Sequence, residues 1–334
     1  MRSDHLSTRA TRFQRLAAMW CAVLLLPWLV SAKASAQASG ALFLLTPLGA
    51  RAVAQGDAVA ADTVMGTEAM WWNPALLARL PKREIAVHHS TSFASNNDMV
   101  ALAMPSKVLG TLAVSGLIVD YGSSDATDAN GFPLGGQVGV YNYQLAASYA
   151  SPVGRRLSAG VTYKYIVFRR ACSGNCGDNA ENFSGKSSAV DLGVHYVLPT
   201  RLPVSIGASL RNVGPGLQVR DAEQADPLPR TLQVGARVDI PIAALKRNNA
   251  ALEASADVFS SDSKITTGMG LSLGYRKMAF LHAGYRGQLE LGGGPSIGFG
   301  FRQGAFGLDV ARRFEQFSSG FSQPPTYVMI RARF

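Results

Sequence analysis

A two-residue alternation of apolar and polar side chains runs through most of the chain and constrains its fold more than any other feature. In residues 231–240, Leu232, Val234 and Val238 fall on one parity, whereas Gln233 and Arg237 fall on the other. Successive side chains of a β-strand point to opposite faces, so this pattern predicts a strand with one apolar face. The same division recurs in residues 141–149, 157–167 and 204–211.

The composition indicates that these apolar faces contact lipid. Hydrophobic residues make up 47% of the chain, charged residues 16%, and mean hydropathy is +0.09. No apolar stretch after residue 38 is long enough for a membrane helix, and a membrane chain without such helices must close its strands into a barrel. We therefore predict an all-β fold, a transmembrane antiparallel β-barrel of about fourteen strands. The candidate strands lie near residues 84–92, 98–105, 110–121, 138–151, 155–170, 187–198, 203–212, 230–241, 250–260, 265–276, 278–286, 295–302, 305–315 and 325–334.

The connections orient this barrel. Those at 122–137, 171–186 and 214–229 are the longest and alternate with short ones such as 152–154, as expected for long outer loops and tight periplasmic turns. The connection at 242–249 is long for an inner turn. Cys172 and Cys176 lie in one outer loop, and their short spacing in an exported chain predicts a disulfide, with two free thiols as the alternative. A metal site there lacks nearby ligands.

The first 38 residues resemble an export signal. Four arginines precede an apolar core at 16–30, and small residues at 34–38 offer cleavage points, although an uncleaved anchor is the alternative. Five basic residues against Asp4 account for +4 of the formal net charge of +10, so the mature chain would carry +6. The remaining basic residues form no dense run, which argues against a nucleic-acid partner.

Residues 39–83 break the alternation and form a segment of their own, called here the head segment. Its glycines, Gly49, Gly56 and Gly66, allow sharp changes of direction between short helical pieces. Pro74 disfavours a helical conformation at Asn73 and so predicts a turn directly after the two tryptophans. The domain organisation predicted is therefore a signal peptide at 1–38, a head segment at 39–83 and a barrel at 84–334.

Two motifs in the head segment resemble a known family. The first is Pro47-Leu-Gly49-Ala50-Arg51-Ala-Val-Ala-Gln-Gly56, and the second is Met-Trp71-Trp72-Asn73-Pro74-Ala75-Leu-Leu. Together they resemble the N-terminal signature of the PorV/PorQ family, which belongs to the superfamily of FadL-type long-chain fatty-acid transporters. The chain departs from that signature at Gly56-Asp57, where a Gly-Gly pair is usual, and at residues 66–69, where an acidic segment is usual.

The resemblance implies a bacterial outer-membrane protein whose head segment is a plug in the periplasmic half of a fourteen-stranded barrel. Within such a plug, Trp71 and Trp72 are expected to fill the interface as packing residues, with direct ligand contact as the alternative. The last strand ends in Phe334. A terminal aromatic resembles the assembly signal of bacterial outer-membrane barrels.

The side chains predicted to point inward from the strands include both positively and negatively charged residues. Such charges usually pair with each other and with a plug across a narrow wet interior, and an anion-lined passage is the alternative. No nucleophile elbow or metal spacing accompanies the histidines, and alternation places His88 and His89 on opposite faces. We predict no catalysis, cofactor or metal. The inward charged and histidine residues are Lys164, Asp191, His195, Arg211, Arg237, Asp239, Glu253, Asp257, Arg276, Arg286, Arg302, Asp309, Arg313, Arg331 and Arg333.

Two function classes follow from the resemblance, both with outer-membrane lipid around the barrel. The first is a protein-secretion component of type IX kind, or an envelope-assembly component, that binds cargo or machinery proteins through its outer loops. The second is a passive transporter that passes hydrophobic small molecules such as fatty acids through the plug or sideways through the wall. The long outer loops lack clustered apolar residues, which favours the first class.

Overall fold

The computed structural model describes residues 40–91, 95–177, 182–218, 225–261, 264–288, 294–314 and 324–334. The signal peptide expected at 1–38 lies outside these ranges. Within them, no helix combines the length and apolar character needed to cross a membrane.

Fourteen antiparallel strands form a closed barrel in which each strand pairs with its sequence neighbours and β1 pairs with β14. The closing pair runs from Glu84 opposite Arg333 to Thr91 opposite Thr326. Closure leaves no unpaired strand edge, which a lipid environment requires, and it confirms the predicted fold class. The strands are β1 Glu84–Thr91, β2 Asn96–Ser106, β3 Gly110–Thr127, β4 Pro133–Val153, β5 Leu157–Gly174, β6 Phe183–Val197, β7 Val204–Val213, β8 Thr231–Ile240, β9 Ala250–Ser261, β10 Lys264–Tyr275, β11 Ala279–Gln288, β12 Gly294–Gln303, β13 Phe306–Arg313 and β14 Thr326–Arg333.

The helical pieces are short. In the head segment the α-helices are α1 Ala50–Ala54 and α2 Ala69–Trp72, and the 3-10 helices are Leu42–Leu45, Gly66–Glu68 and Pro74–Arg79. A third α-helix, α3 Ala243–Arg247, connects β8 to β9. It accounts for the length of that inner connection, which is therefore not a miscounted strand.

The strands β3 to β5 are longer than the alternation predicts. Pairing continues to Thr127 opposite Pro133 in one hairpin and to Gly136 opposite Gly174 in the next. Most of the expected loop at 122–137 is therefore strand. These extensions are rich in Gly, Ser and Asp. Beyond the lipid both strand faces meet water, so backbone pairing persists there without apolar alternation.

The two faces of the wall differ in polarity. On β12, Ile297 and Phe299 are half exposed, whereas Gly298 and Ser296 are buried. Exposed aliphatic and aromatic side chains follow the same parity on the other strands, and an apolar exterior around a polar interior is the arrangement a bilayer selects. The chain is a transmembrane β-barrel.

Candidate functional site

The head segment contacts the inner face of the wall backbone to backbone. A Cβ atom added at Gly207 would lie 1.9 Å from the carbonyl oxygen of Ala60, and one added at Gly284 would lie 2.2 Å from the backbone nitrogen of Gly56. Glycine inside a strand often marks such a close approach. The inward glycines therefore make the room that the head segment occupies. Those whose added Cβ would meet head-segment atoms within 3 Å are Gly160, Gly193, Gly207, Gly268, Gly270, Gly284 and Gly298.

Asn73 ties the second motif to the wall. Its backbone is extended before Pro74, as predicted, with φ −150° and ψ 101°. Its side-chain nitrogen donates to the carbonyl of Ala60 at 2.7 Å and to that of Val194 at 3.0 Å, while its oxygen accepts from the Ala75 N–H at 3.1 Å. One amide thus caps a helix, joins two parts of the head segment and binds β6.

Trp71 and Trp72 lie buried against β5 and β7. The Trp72 indole N–H donates to the carbonyl of Leu48 at 2.8 Å. The Lys164 ammonium lies 5.0 Å from the centre of the Trp71 ring, and the Arg211 guanidinium lies 5.1 Å from that of Trp72. Both distances fall in the range of cation–π attraction. The motif aromatics are therefore held by wall cations as well as by packing.

The wall is interrupted where these cations lie. The pairing of β6 with β7 passes from Val190 opposite Val213 to Leu192 opposite Leu210, which leaves one extra residue on β7. Asn212 takes φ 60° there, a left-handed conformation that asparagine tolerates, as in a β-bulge.

Side chains close this gap in the ladder. The Asp191 carboxylate accepts from the Asn212 N–H at 2.8 Å and pairs with the Lys164 ammonium at 2.7 Å, while Lys164 also donates to the Asn212 amide oxygen at 2.8 Å. Arg211 donates to the carbonyl of Trp71 at 3.0 Å. We call Trp71, Trp72, Lys164, Asp191, Arg211 and Asn212 the tryptophan junction.

A second set of contacts anchors the first motif. Arg51 pairs with Asp62 of the head segment at 2.8 Å and with Glu253 of β9 at 3.0 Å. Arg237 of β8 completes a four-membered network, at 3.0 Å from Asp62 and 2.8 Å from Glu253. Burial alone would raise the pKa of Asp62, but Arg51 and Arg237 outweigh it and hold the pKa well below its usual range.

Arg331 of β14 organises a third set. It donates to Glu68 at 2.5 Å, to Asp309 at 2.7 Å and to the carbonyl of Met65 at 2.9 Å. Glu84 accepts from the Thr67 N–H at 2.8 Å and pairs with Arg333 at 2.6 Å. Burial outweighs the attraction of Arg331 and raises the pKa of Glu68 to about 7.

Asp57 is held by two further arginines of the wall, Arg286 and Arg313. The inward charges thus pair with one another and with the head segment. Arg276 is an exception, because it lies exposed in a turn rather than on the inner face. The carboxylates Asp57, Asp62 and Glu68 were absent from the sequence-based set, although acids in a segment this apolar were a usable signal.

The remaining residues of the motifs lie in turns and short helices and are buried, except for Pro47, which is half-buried. Gly49 has φ 92° and Gly56 has φ 61°, which glycine adopts without strain. A Cβ at Gly49 would also lie 2.2 Å from a carboxylate oxygen of Glu68. Pro47 directly precedes Leu48, and Ala50 begins α1 with its side chain fully buried.

The other sequence-based candidates lie away from the head segment. Cys172 and Cys176 form a disulfide at the outer end of β5. Phe334 is exposed at the opposite end, and its N–H donates to the carbonyl of Arg83 at 3.0 Å. His88 is buried, whereas His89 points outward and pairs with Asp98 at 2.7 Å. Across the described ranges, no three His, Cys, Asp or Glu side chains are grouped so as to hold a metal ion.

Comparison with known proteins finds a similarity of fold but no match of sequence. No family model matches the sequence, and no curated protein matches it. Among solved structures, the chain is similar to the toluene transporter TbuX of Ralstonia pickettii, with 16% identity over 87% of this chain and 100% of that one and a TM-score of 0.56. It is similar to the toluene transporter TodX of P. putida, with 11% identity over 86% of this chain and 98% of that one and a TM-score of 0.62.

A FadL homologue of Pseudomonas aeruginosa is similar as well, with 11% identity over 86% of this chain and 98% of that one and a TM-score of 0.51. At these identities the likeness establishes a shared barrel fold. The chain therefore has the fold of FadL-type outer-membrane channels, and its location is the bacterial outer membrane. Membership of the PorV/PorQ family stays a prediction from the two motifs.

Proposed function

We propose that this protein is an outer-membrane channel for hydrophobic small molecules, with the head segment as its plug. Its fold is similar to that of two toluene transporters and a FadL homologue over more than four-fifths of the chain. The observation that carries the proposal is the tryptophan junction. There, two buried aromatic side chains face the point at which pairing between two wall strands is interrupted.

Passage through the plug itself would be costly. The head segment holds Arg51, Asp57, Asp62 and Glu68 in buried ion pairs, and separating such a pair leaves an unpaired charge in a low dielectric. A sideways route at the junction between β6 and β7 starts where the ladder is already interrupted, and it displaces one buried ion pair, Lys164 with Asp191, rather than the several that hold the head segment. A hydrophobic molecule would enter from the outer end, contact Trp71 and Trp72, and leave through the wall into lipid.

The secretion function predicted from the motifs is the alternative. It rests on the resemblance at Pro47 to Gly56 and at Trp71 to Ala75, and no contact among the described residues adds to it. The two functions differ in what a cell without the protein loses. Transport predicts lost uptake of hydrophobic compounds with secretion intact, and secretion predicts the reverse.

Uptake of labelled toluene and oleate by cells, with and without the protein, tests the proposal. We expect uptake several times above that of the empty vector. Equal uptake in both strains, at matched levels of folded barrel, would refute the channel function.

A reversible disulfide that links β6 to β7 tests the proposed sideways route. Leu192 and Leu210 are outward partners beside the interruption, so the pair Leu192→Cys and Leu210→Cys should slow uptake when oxidised and restore it when reduced. Met269→Cys with Tyr285→Cys provides a matched staple on β10 and β11. Uptake that is insensitive to the first staple would exclude the sideways route while leaving transport itself intact.

A further inference from the structure

The inner turns of the barrel carry an unusual concentration of exposed positive charge. Lys107 lies between β2 and β3, Arg155 and Arg156 between β4 and β5, and Arg201 between β6 and β7. All four are exposed, and none forms an ion pair with any residue that the structure describes.

Two of the three remaining inner turns also carry basic residues. The exposed helix α3 ends in Lys246 and Arg247, and Arg276 and Lys277 form the turn between β10 and β11. The inner turns at 107–109, 154–156, 198–203, 241–249, 276–278 and 304–305 contain no Asp or Glu. Asp239, at the inner end of β8, is already bound by Arg237 at 3.0 Å.

The connections at the outer end of the barrel contain acidic residues. Every outer connection from β3 onward includes at least one Asp or Glu in its sequence, for example Asp128 and Asp226. The two ends of the barrel therefore present different fields, and an anionic partner is attracted to the inner end.

Apolar side chains accompany the inner cations and indicate the kind of partner. Val108 is 90% exposed and Leu109 68% exposed, directly after Lys107. Leu202 follows Arg201, Met278 follows Lys277, and both are exposed. These apolar groups lie at the ends of lipid-facing strands. Long basic side chains can rest on such a surface while their charged ends reach phosphate groups.

We propose that the inner turns form a collar that binds anionic phospholipid headgroups of the inner leaflet of the outer membrane. The occupant is a phosphodiester lipid with net negative charge, such as a phosphatidylglycerol. A soluble acidic protein would meet the same cations, but it would gain nothing from apolar side chains that continue the lipid-facing surface. The collar is independent of what passes through the barrel.

Native mass spectrometry of the protein purified from outer membrane tests this. The protein is equilibrated in micelles with equimolar phosphatidylglycerol and phosphatidylcholine of identical acyl chains, and bound lipids are counted. We expect about fivefold enrichment of the anionic lipid. The variant Arg155→Gln, Arg156→Gln, Arg276→Gln, Lys277→Gln should lose most of it. The matched outer-end variant Arg169→Gln, Lys186→Gln, Arg230→Gln, Lys264→Gln removes the same charge from exposed positions and should retain it.

Three results would overturn the collar. They are no enrichment in the wild-type protein, equal loss in the outer-end variant, or tight binding of soluble polyglutamate without enrichment of the anionic lipid. Heat-modifiable gel mobility verifies that each barrel is folded. If the four-residue inner variant does not fold, Lys246→Gln with Arg247→Gln in helix α3, which has no buried residue, tests the same point, and its enrichment must fall relative to Lys246→Arg with Arg247→Lys.

Discussion

The inner and outer faces of the same strands place different requirements on their side chains. On β14, Val328 and Ile330 face lipid, whereas Met329 and Arg331 are buried, although the four residues are consecutive in sequence. The outer face needs only to be apolar, because lipid chains adapt to any apolar surface. The inner face meets one specific segment, so its glycines, ion pairs and amide contacts must match that segment atom by atom. A substitution should therefore cost much more on the inner face than on the outer one.

Arg331→Met should give the largest effect. The substitution leaves Glu68 and Asp309 buried without their shared cation, and removing one partner from a buried network costs about 3–5 kcal/mol. Urea unfolding in detergent micelles measures the change in the free energy of unfolding. Ile330→Val, at the adjacent outward position, removes one methylene and should cost about 0.8 kcal/mol or less. Similar losses in the two variants would remove the distinction between the faces.

Glycine replacements compare the faces without changing charge. Gly207→Ala would force a Cβ to 1.9 Å from the Ala60 carbonyl oxygen and should cost about 1–3 kcal/mol. Gly116→Ala points outward, where the nearest atom would be a methyl carbon of Leu145 at 3.6 Å, and should change stability by about 0.5 kcal/mol or less. Thermal unfolding of both variants checks this, and an unperturbed Gly207→Ala protein would mean that the head segment does not press on the wall there.

The dependence of stability on pH should identify the buried head-segment acid. The pKa of Glu68 is raised from 4.5 to about 7, so the folded protein holds a proton that the unfolded chain releases. This contribution is complete below about pH 4.5 and is lost as pH rises through about 7. The free energy of unfolding should therefore fall less between pH 5 and pH 8 in Glu68→Gln than in the wild-type protein. Identical pH profiles would contradict the assignment.

Removal of the disulfide should have the smallest effect on the barrel. The disulfide between Cys172 and Cys176 closes a very short loop at the outer end of the barrel. A cross-link that closes a short loop restricts the unfolded chain less than one that closes a long loop. Cys172→Ser with Cys176→Ser should lower the free energy of unfolding in urea by about 2 kcal/mol or less and increase protease cleavage of that loop only. A large loss of barrel stability would mean that the outer extensions support the wall.

The strands of the wall could be predicted from the sequence because contact with lipid requires only that the outward side chains be apolar. Alternation alone located all fourteen strands, and it separated inward residues such as Lys164 from outward ones such as Tyr163. The alternation did not predict the parts of the chain that lie outside the lipid-facing wall. The extensions of β3 to β5 pair in water, and the helix at Ala243–Arg247 lies in a turn, so neither shows the alternation.

The site was predictable only in part. The motifs singled out Arg51, Trp71 and Asn73, because a Pro, a Gly or an aromatic pair is visible in sequence. Their partners were not visible, since Asp62 meets Arg237 and Trp71 meets Lys164 through contacts about a hundred residues or more apart along the chain. Residue type indicates that a buried charge needs a partner, but only the closure of the barrel determines which one it has.

Intrinsic fluorescence tests the central claim most directly. Trp71 and Trp72 are the only tryptophans outside the predicted signal peptide, so in the mature protein they report on the tryptophan junction alone. We predict that toluene or oleate, titrated into the mature protein in detergent, changes the tryptophan emission saturably and that Trp71→Phe reduces the change. A linear response equal to that of N-acetyltryptophanamide in the same micelles would contradict binding at the junction.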